Sequence, residues 1–146
     1  MEVIIIGCGK VGVTLADQLV REDHNVVMVD TSAERLQSFS EDIDAIKLVG
    51  NGASISTQLE AGVQTADILI AVTGSDELNL FCCLIAKKAG KCHTIARVRN
   101  PVYSNEIGFI KEQLGISMII NPELAAATEI SRILRFPSAI KIDPFA

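Results

Sequence analysis

A chain of 146 residues, with 49% hydrophobic and 21% charged side chains, is long enough for one domain with a well-developed core and too apolar to be disordered. Its formal net charge of −5 argues against sequence-independent binding to nucleic acid, because phosphate neutralisation needs clustered Lys and Arg. The opening apolar run of about five residues is far short of the roughly 20 that span a bilayer, and it lacks the charged start of a signal peptide, so we expect a soluble cytoplasmic protein.

Strand and helix patterns alternate along the chain. The opening run, which ends at Gly7, is a predicted strand, and further apolar runs predict strands at residues 25–30, 45–49, 67–72, 93–98 and 117–120. Amphipathic stretches with end signals predict helices at residues 13–21, 54–61, 76–89, 100–114 and 125–134. One more helix is predicted to start from a cap at Thr31 or Ser32 and to face inward with Leu36 and Phe39.

The six alternations have connections short enough for right-handed βαβ crossovers. The predicted fold class is therefore α/β, a Rossmann-like doubly wound parallel six-stranded sheet in a single domain over residues 1–135. Residues 136–146 contain one short apolar patch, at 139–142. We interpret them as a linker or as the start of a C-terminal subdomain that follows.

The cysteines and histidines do not form a metal-binding pattern. No C-x-x-C pair occurs, and His24 and His93 have no ligand-spaced partners. A zinc site is therefore not expected, and reduced thiols are the expected state. Cys82 and Cys83 fall in a predicted helix, where we interpret them as small apolar filler.

The turn after the first strand has the sequence G-x-G-x-x-G, at Gly7, Gly9 and Gly12. Gly7 permits the sharp turn, Gly9 lets a pyrophosphate approach the backbone, and Gly12 lets the helix pack on the strand. The pyrophosphate would then lie against free amides at the positive end of the helix dipole. The motif alone is a weak signal, but a strand before it, a helix after it and the acid Asp30 about 20 residues on are the required context. We predict a nucleotide site here; the alternative is a glycine-rich turn without a ligand.

Asp30 ends the second predicted strand, where a carboxylate can accept both hydroxyls of an adenosine ribose. Such an acid disfavours a 2′-phosphate. Arg35, five residues later, can offset this preference, although its position is also typical of a solvated helix face. The alternative role for Asp30 is that of a turn or helix-capping residue.

Three further features lie near the same carboxyl edge of the predicted sheet. The turns at residues 50–52 and 73–74 open there, and they either border adenine and ribose or are ordinary turns. Arg97 is a guanidinium inside an apolar strand, so it must be paired or must face a phosphate or a carboxylate of a partner subunit. Lys10 lies inside the glycine turn, where neutralising a phosphate and simple solvation are equally good interpretations.

The groups that hydride-transfer chemistry needs are missing from the pattern. Tyr103 is the only tyrosine and the residue four positions later is Ile107, so a Tyr-x-x-x-Lys proton relay is absent. Neither histidine has an acid in a position that suggests a general acid–base pair. We therefore predict no enzyme; the alternative function is a small NAD-dependent oxidoreductase or the coenzyme-binding half of one. A redox-sensing transcriptional regulator would need a DNA-binding part in addition.

Four stretches together resemble the nucleotide-binding domain of Trk-type potassium-uptake regulators, also called the KTN or RCK N-terminal domain. They are IIGCGKVG at 5–12, VD at 29–30, AVTGSDELN at 71–79 and IARVRNP at 95–101, and the likeness extends to NPE at 121–123 and FP at 136–137. The resemblance implies a cytoplasmic regulatory subunit, peripheral at the inner face of the cell membrane, that binds NAD(H) or ATP/ADP and controls a membrane potassium transporter. It also implies a homo-oligomer, a dimer or a ring of dimers.

The resemblance implies roles for individual residues as well. The phosphate loop would be Gly7, Cys8, Gly9, Lys10, Val11 and Gly12, with Asp30 as the ribose ligand. The adenosine end would be lined by Asn51, Gly52, Thr73 and Gly74, and Arg97 would approach the phosphates. Asn51 departs from the family pattern, which often has Asp there, so selectivity for ribose or adenine is open. The family's C-terminal ligand-binding subdomain is not in this sequence, so we expect an N-terminal unit.

A partner surface is predicted on the last helix, at residues 125–134. Its small and apolar side chains suit a partner helix, and packing within the chain is almost as good an interpretation. A regulatory module of this kind converts a bound ligand into a change of subunit arrangement, which requires that the ligand have different affinities for two assembly states.

Overall fold

The computed structural model describes residues 1–38 and 42–123. Six strands form one sheet: β1 Glu2–Ile6, β2 Asn25–Asp30, β3 Ile46–Val49, β4 Ile68–Ala71, β5 His93–Arg97 and β6 Met118–Ile120. Their order is β3-β2-β1-β4-β5-β6, and all neighbouring strands are parallel. The chain therefore winds outward from the middle of the sheet in both directions, and the predicted Rossmann-like doubly wound fold is confirmed.

Helices cover both faces of this sheet. Successive side chains of β1 point to opposite faces, so Val3 lies in one buried cluster with Ala16 while Ile4 lies in another with Cys82. This double burial explains why the strands have nearly continuous apolar sequences. The helical segments in the described residues are α1 Lys10–Arg21, α2 Ala33–Ser38, α3 Ile55–Ala61, α4 Asp76–Ala89, a 3-10 turn at Pro101–Tyr103, and α5 Ile107–Leu114.

The end signals in the sequence fix several helix boundaries. The hydroxyl of Ser32 accepts a hydrogen bond from the backbone N–H of Arg35 at 3.2 Å, so Ser32 caps the second helix. Ser75 caps α4 in the same way, through the N–H of Leu78. Gly62 ends α3 in the left-handed conformation, with a φ of 93°.

Helix α1 begins three residues earlier than predicted, at Lys10 and not at Val13. Its first helical hydrogen bond runs from the N–H of Val13 to the carbonyl of Gly9, at 2.9 Å. The sequence pattern treats Gly12 as part of the turn, whereas the structure places it inside the first turn of the helix. Tertiary packing of Gly12 against the preceding strand end thus overrides its low helix propensity.

The single helix predicted from residue 100 to residue 114 is wrong. A 3-10 turn at Pro101–Tyr103 comes first, and α5 starts only at Ile107. The side chain of Asn100 accepts a hydrogen bond from the N–H of Val102, and the hydroxyl of Tyr103 donates to Glu77 on α4 at 2.8 Å. The first bond caps the 3-10 turn and the second attaches the segment to α4, so that it does not continue along one helix axis.

Several predicted features lie outside the described residues. They are Phe39, the final helix at 125–134 with its partner surface, and the tail at 136–146, so the domain boundary after residue 135 stays a prediction. None of the helices that the structure describes is both long enough and apolar enough to cross a membrane.

Candidate functional site

A cavity of about 860 Å³ opens at the carboxyl edge of the sheet, where β1, β2, β3, β4 and β5 end. The two outward windings of the chain diverge between β1 and β4, and ligands of open α/β sheets bind at such a switch point. All predicted site residues except Gly12 line this cavity: Gly7, Cys8, Gly9, Lys10, Val11, Asp30, Asn51, Gly52, Thr73, Gly74 and Arg97. The structure therefore brings together residues that are as much as 90 positions apart in the sequence (97 − 7).

The three glycines of the first turn have three different surroundings. Gly7 has a φ of +108°, and a Cβ there would lie 2.9 Å from the nitrogen of Thr73. A Cβ on Gly12 would overlap the carbonyl oxygen of Gly7, so only glycine lets α1 approach the turn this closely. A Cβ on Gly9 would meet no other described residue within 4 Å. The fold thus requires Gly7 and Gly12, whereas Gly9 faces open space at the N-terminus of α1.

The buried carboxylate of Asp30 joins the end of β2 to the glycine turn. Its Oδ2 accepts a hydrogen bond from the N–H of Cys8, and its Oδ1 accepts one from the N–H of Ser32, each at 2.8 Å. Arg35 lies 3.9 Å away on the solvent side. Asp30 is therefore a turn residue, as one interpretation predicted, and it also lines the cavity, as the other requires.

The turn after β3 is fixed from two directions. The side chain of Asn51 accepts a hydrogen bond from the N–H of Ala53 at 2.9 Å, which is ordinary turn chemistry. Behind it, the buried Gln58 donates through Nε2 to the carbonyls of Gly52, at 2.7 Å, and Cys82, at 3.0 Å. Sequence reasoning missed Gln58. The signal was a polar residue on the inward face of a short helix.

The turn after β4 is held by Asn79, which sequence reasoning also missed. Asn79 is completely buried on α4 and does not line the cavity. Its side chain accepts hydrogen bonds from the N–H and the hydroxyl of Thr73 and donates to the carbonyls of Thr73 and Arg97. As for Gln58, the available signal was an amide among the apolar positions of a helix.

Arg97 is 8% exposed, and only part of its guanidinium has a hydrogen-bond acceptor among the described residues. Its Nη2 donates to the carbonyl of Thr73 at 2.7 Å, whereas its buried Nε has no hydrogen-bond partner among the described residues. Arg97 also lines the cavity. Because a buried charge without full pairing is costly, this arrangement suits an anionic group in the cavity.

The strand order divides the cavity lining into two sides. On one side of the glycine turn, Asp30 ends β2 and Asn51 follows β3; on the other, Thr73 follows β4 and Arg97 ends β5. Two more cations lie at the rim: Lys10 is exposed at the start of α1, and Arg35 is exposed beside Asp30. Other lining residues that the sequence pattern did not indicate are Thr14, Ser38, Leu78 and Glu123.

The thiols of the described cysteines are buried and are poor nucleophiles. Burial raises the pKa of Cys82 and that of Cys83 to about 12, in agreement with their role as apolar filler. Burial, followed by the nearby charge of Asp30, also raises the pKa of Cys8 in the glycine turn. Among residues 1–38 and 42–123, no group of three or more His, Cys, Asp or Glu is placed to hold a metal ion.

A family model described as the TrkA-N domain matches residues 3–122. The chain belongs to the TrkA-N family. The match runs from β1 to the residues just after β6, so the family resemblance of the sequence motifs is confirmed over the whole described sheet.

Curated relatives of this TrkA-N chain are Trk-system proteins. It is 37% identical over 146 residues to the Trk system potassium uptake protein TrkA homolog of Archaeoglobus fulgidus, covering 100% of this chain and 33% of that protein. It is also 37% identical over 149 residues to the Trk system potassium uptake protein TrkA of Haemophilus influenzae, covering 100% of this chain and 32% of that protein. The chain thus spans about a third of the length of these relatives.

Solved structures share the TrkA-N fold at lower identity. The TrkA-N domain of the inner membrane protein ybaL from Escherichia coli has a TM-score of 0.78 at 22% identity, over 91% of this chain and 96% of that one. The GsuK channel bound to NAD has a TM-score of 0.69 at 22% identity, over 82% and 21%. The Kef CTD of Shewanella denitrificans in its AMP-bound form has a TM-score of 0.71 at 19% identity, over 89% and 77%. These likenesses support the fold.

Proposed function

We propose that this TrkA-N chain binds NAD(H), or alternatively ATP or ADP, and that the bound nucleotide controls a membrane potassium transporter. The relatives with 37% identity are named as potassium uptake proteins of the Trk system, and two structures with the same fold hold NAD or AMP. The proposed location is the cytoplasm, at the inner face of the cell membrane through the transporter partner. The proposed assembly is a homo-oligomer, a dimer or a ring of dimers.

One observation carries the nucleotide proposal: the open face of Gly9 and the buried carboxylate of Asp30 share a single cavity at the switch point of the sheet. In this arrangement, amides at the start of α1 would bind phosphate and Asp30 would bind the adenosine ribose. Asn51 and Gly52 would border the adenosine. The resemblance places Thr73 and Gly74 at the adenosine end; because both lie on the β5 side of the glycine turn, we propose instead that they border the phosphates together with Arg97.

The absence of a reaction is part of the proposal. The hydroxyl of Tyr103 donates to Glu77, and this hydrogen bond raises the pKa of Tyr103, which makes proton transfer near neutral pH harder. The buried thiols are unreactive for the same kind of reason. A dehydrogenase, the alternative function, would oxidise NADH steadily with a carbonyl substrate, and we expect no such turnover.

Calorimetry on the nucleotide-free 146-residue chain tests the first step, with NAD⁺, NADH, ADP and ATP as ligands. We expect saturable binding of at least one of them, and binding of none would reject the proposal. Mass spectrometry of nucleotide released from the purified protein identifies the ligand that the cell supplies.

The regulatory step needs separate measurements. Light scattering with and without the bound nucleotide should show an oligomer whose size or shape responds to the ligand, and a monomer in both states would contradict the assembly part. Potassium uptake by cells that lack the gene, restored with the wild type or with Asp30→Asn, tests control of the transporter. Equal potassium uptake by both strains, although the variant no longer binds nucleotide, would contradict control of the transporter by the bound nucleotide.

A further inference from the structure

At the cavity, the residues that follow the last paired positions of β4 and β5 are connected by a side chain and not by hydrogen bonds between the strands. The register of this strand pair ends with Ala71 opposite Ala96. Thr73 and Arg97 lie beyond that last pair, where both line the cavity. The side chain of Asn79, from α4, bridges them.

Asn79 uses its full hydrogen-bonding capacity for this bridge. Its Oδ1 lies 2.8 Å from the N–H nitrogen of Thr73 and 2.6 Å from its hydroxyl. Its Nδ2 donates to the carbonyl of Thr73 at 3.2 Å and to that of Arg97 at 2.9 Å. Because two donors face the oxygen and two carbonyls face the nitrogen, only one orientation of the amide satisfies every partner.

The carbonyl of Thr73 is a shared acceptor. It receives the Nδ2 of Asn79 and also the Nη2 of Arg97, the latter at 2.7 Å. Asn79 therefore holds both the backbone carbonyl of Arg97 and the carbonyl oxygen of Thr73, which accepts the hydrogen bond from the Arg97 guanidinium. The position of the guanidinium therefore depends on that of the Thr73 carbonyl.

We propose that Asn79 is a positioning residue for the phosphate-binding half of the site: it fixes the Thr73 turn and the Arg97 guanidinium for a second phosphate group without touching the ligand. The proposal rests on the nucleotide binding proposed above and adds a residue to it. It requires that the affinity for a nucleoside diphosphate depend on Asn79, whereas the affinity for a nucleoside monophosphate does not. Adenosine and its first phosphate would bind to Asp30 and the glycine turn, which Asn79 does not contact.

Gln58 provides a matched control inside the same fold. It is also a buried helical amide, and its Nε2 donates to the carbonyls of Gly52 and Cys82. It supports the turn on the other side of the phosphate loop, next to Asn51. A change at Gln58 therefore removes similar hydrogen bonds from a part of the site that the second phosphate does not reach.

The test compares AMP and ADP by calorimetry on the wild-type chain, Asn79→Asp and Gln58→Met. Asn79→Asp keeps the side-chain size and the two bonds that it accepts from Thr73, but it loses both donors and places a carboxylate beside the guanidinium, which attracts Arg97 away from the cavity. We expect ADP to bind about tenfold more weakly and AMP to change by less than about twofold, since a charged hydrogen bond to the second phosphate is lost. Gln58→Met should change the two affinities by a common factor.

Asn79→Ser retains a short hydroxyl and carries the same test if the aspartate variant does not fold, which thermal unfolding without ligand establishes. Equal weakening of AMP and ADP by the Asn79 variants, or no change in either, would overturn the positioning role. Failure of the wild type to bind any of AMP, ADP or NAD would reject nucleotide binding itself, and this is a different result.

Discussion

The carboxylate of Asp30 accepts a hydrogen bond from the backbone N–H of Cys8, with 2.8 Å between Oδ2 and nitrogen. This bond connects the end of β2 to the middle of the glycine turn after β1. The proposed ribose ligand and the proposed phosphate loop are therefore parts of one rigid unit. Any change at Asp30 acts on both.

Asp30→Asn should weaken both nucleotide binding and the fold. An amide can accept only through its oxygen, so one of the two backbone N–H groups now facing Asp30 loses its acceptor, at a cost of about 1–3 kcal/mol in the free energy of unfolding. We expect NAD affinity to fall about tenfold or more, because the charged acceptor for the ribose hydroxyls is gone. Urea denaturation and calorimetry measure the two effects.

Asp67→Asn is the matched control for this change. Asp67 also accepts a backbone N–H, that of Glu2 at 2.7 Å, but it is exposed and lies before β4, at the opposite edge of the sheet. An asparagine can retain that single bond. Loss of NAD affinity in Asp67→Asn equal to that in Asp30→Asn would contradict a specific role for Asp30.

Gly9→Ala and Gly12→Ala should separate binding from folding. The methyl group added at Gly9 would enter open space, so the free energy of unfolding should stay within about 0.5 kcal/mol of the wild type. It would nevertheless occupy the surface that a pyrophosphate approaches, and nucleotide affinity should fall.

The methyl group added at Gly12 would collide with the carbonyl of Gly7, and relieving that overlap requires a backbone shift that costs about 1–3 kcal/mol. Thermal unfolding and calorimetry on the two variants check this contrast. Full nucleotide affinity in Gly9→Ala would show that the ligand does not approach this part of the turn.

Arg97→Met should remove affinity with little loss of stability. The methionine side chain fills a similar space, and the lost bond from Nη2 to the carbonyl of Thr73 is offset because the buried Nε, which has no partner among the described residues, is removed as well. We expect ADP to bind about tenfold more weakly or worse, with a smaller dependence on salt concentration. Arg21→Met, which changes a solvent-exposed i,i+4 ion pair, is the control and should bind ADP as the wild type does.

The thiols of Cys82 and Cys83 should make the fold less stable at alkaline pH. In the native state their pKa is about 12, against an ordinary value of 9.0, so unfolding lets them ionise. Their contribution is complete below pH 9.0 and is lost as the pH rises toward 12. Urea midpoints at about pH 8 and about pH 10 should differ more for the wild type than for a Cys82→Ala/Cys83→Ala variant. The same pH dependence in both proteins would contradict the burial of these thiols.

The strands and the glycine turn were predictable because each depends on local sequence. A parallel sheet buried on both faces requires continuous apolar runs, and the turn requires glycine at fixed positions. The bridge at Asn79 was not predictable from local sequence. Its partners are the backbone and hydroxyl of Thr73 and the backbone carbonyl of Arg97, which come from two separate strand ends. The misplaced helix after residue 100 has a similar cause, since Tyr103 is held by Glu77 on another helix.

Asp76 is a further case of this kind. The sequence pattern gives it an ordinary place in the first turn of α4, where acids are favoured by the helix dipole. In the structure its carboxylate is buried and accepts the N–H groups of Arg99 and Asn100, which follow β5. Helix periodicity predicts the face on which a residue lies. It does not predict which distant backbone N–H groups will donate hydrogen bonds to a polar side chain on that face.

The position of β3 in the strand order has a consequence for how the cavity moves. In the described sheet β1 has neighbours on both sides, whereas β3 pairs only with β2, and its Ile46 and Val49 are 68% and 56% exposed. Amides of such an edge strand exchange with deuterium through local opening, while those of a central strand exchange only when the whole domain unfolds. We therefore expect the amides of β3, next to the wall at Asn51, to exchange faster than those of β1, next to the wall formed by the glycine turn. A bound adenosine that touches both walls would slow deuterium uptake at β3 and leave that of β1 unchanged.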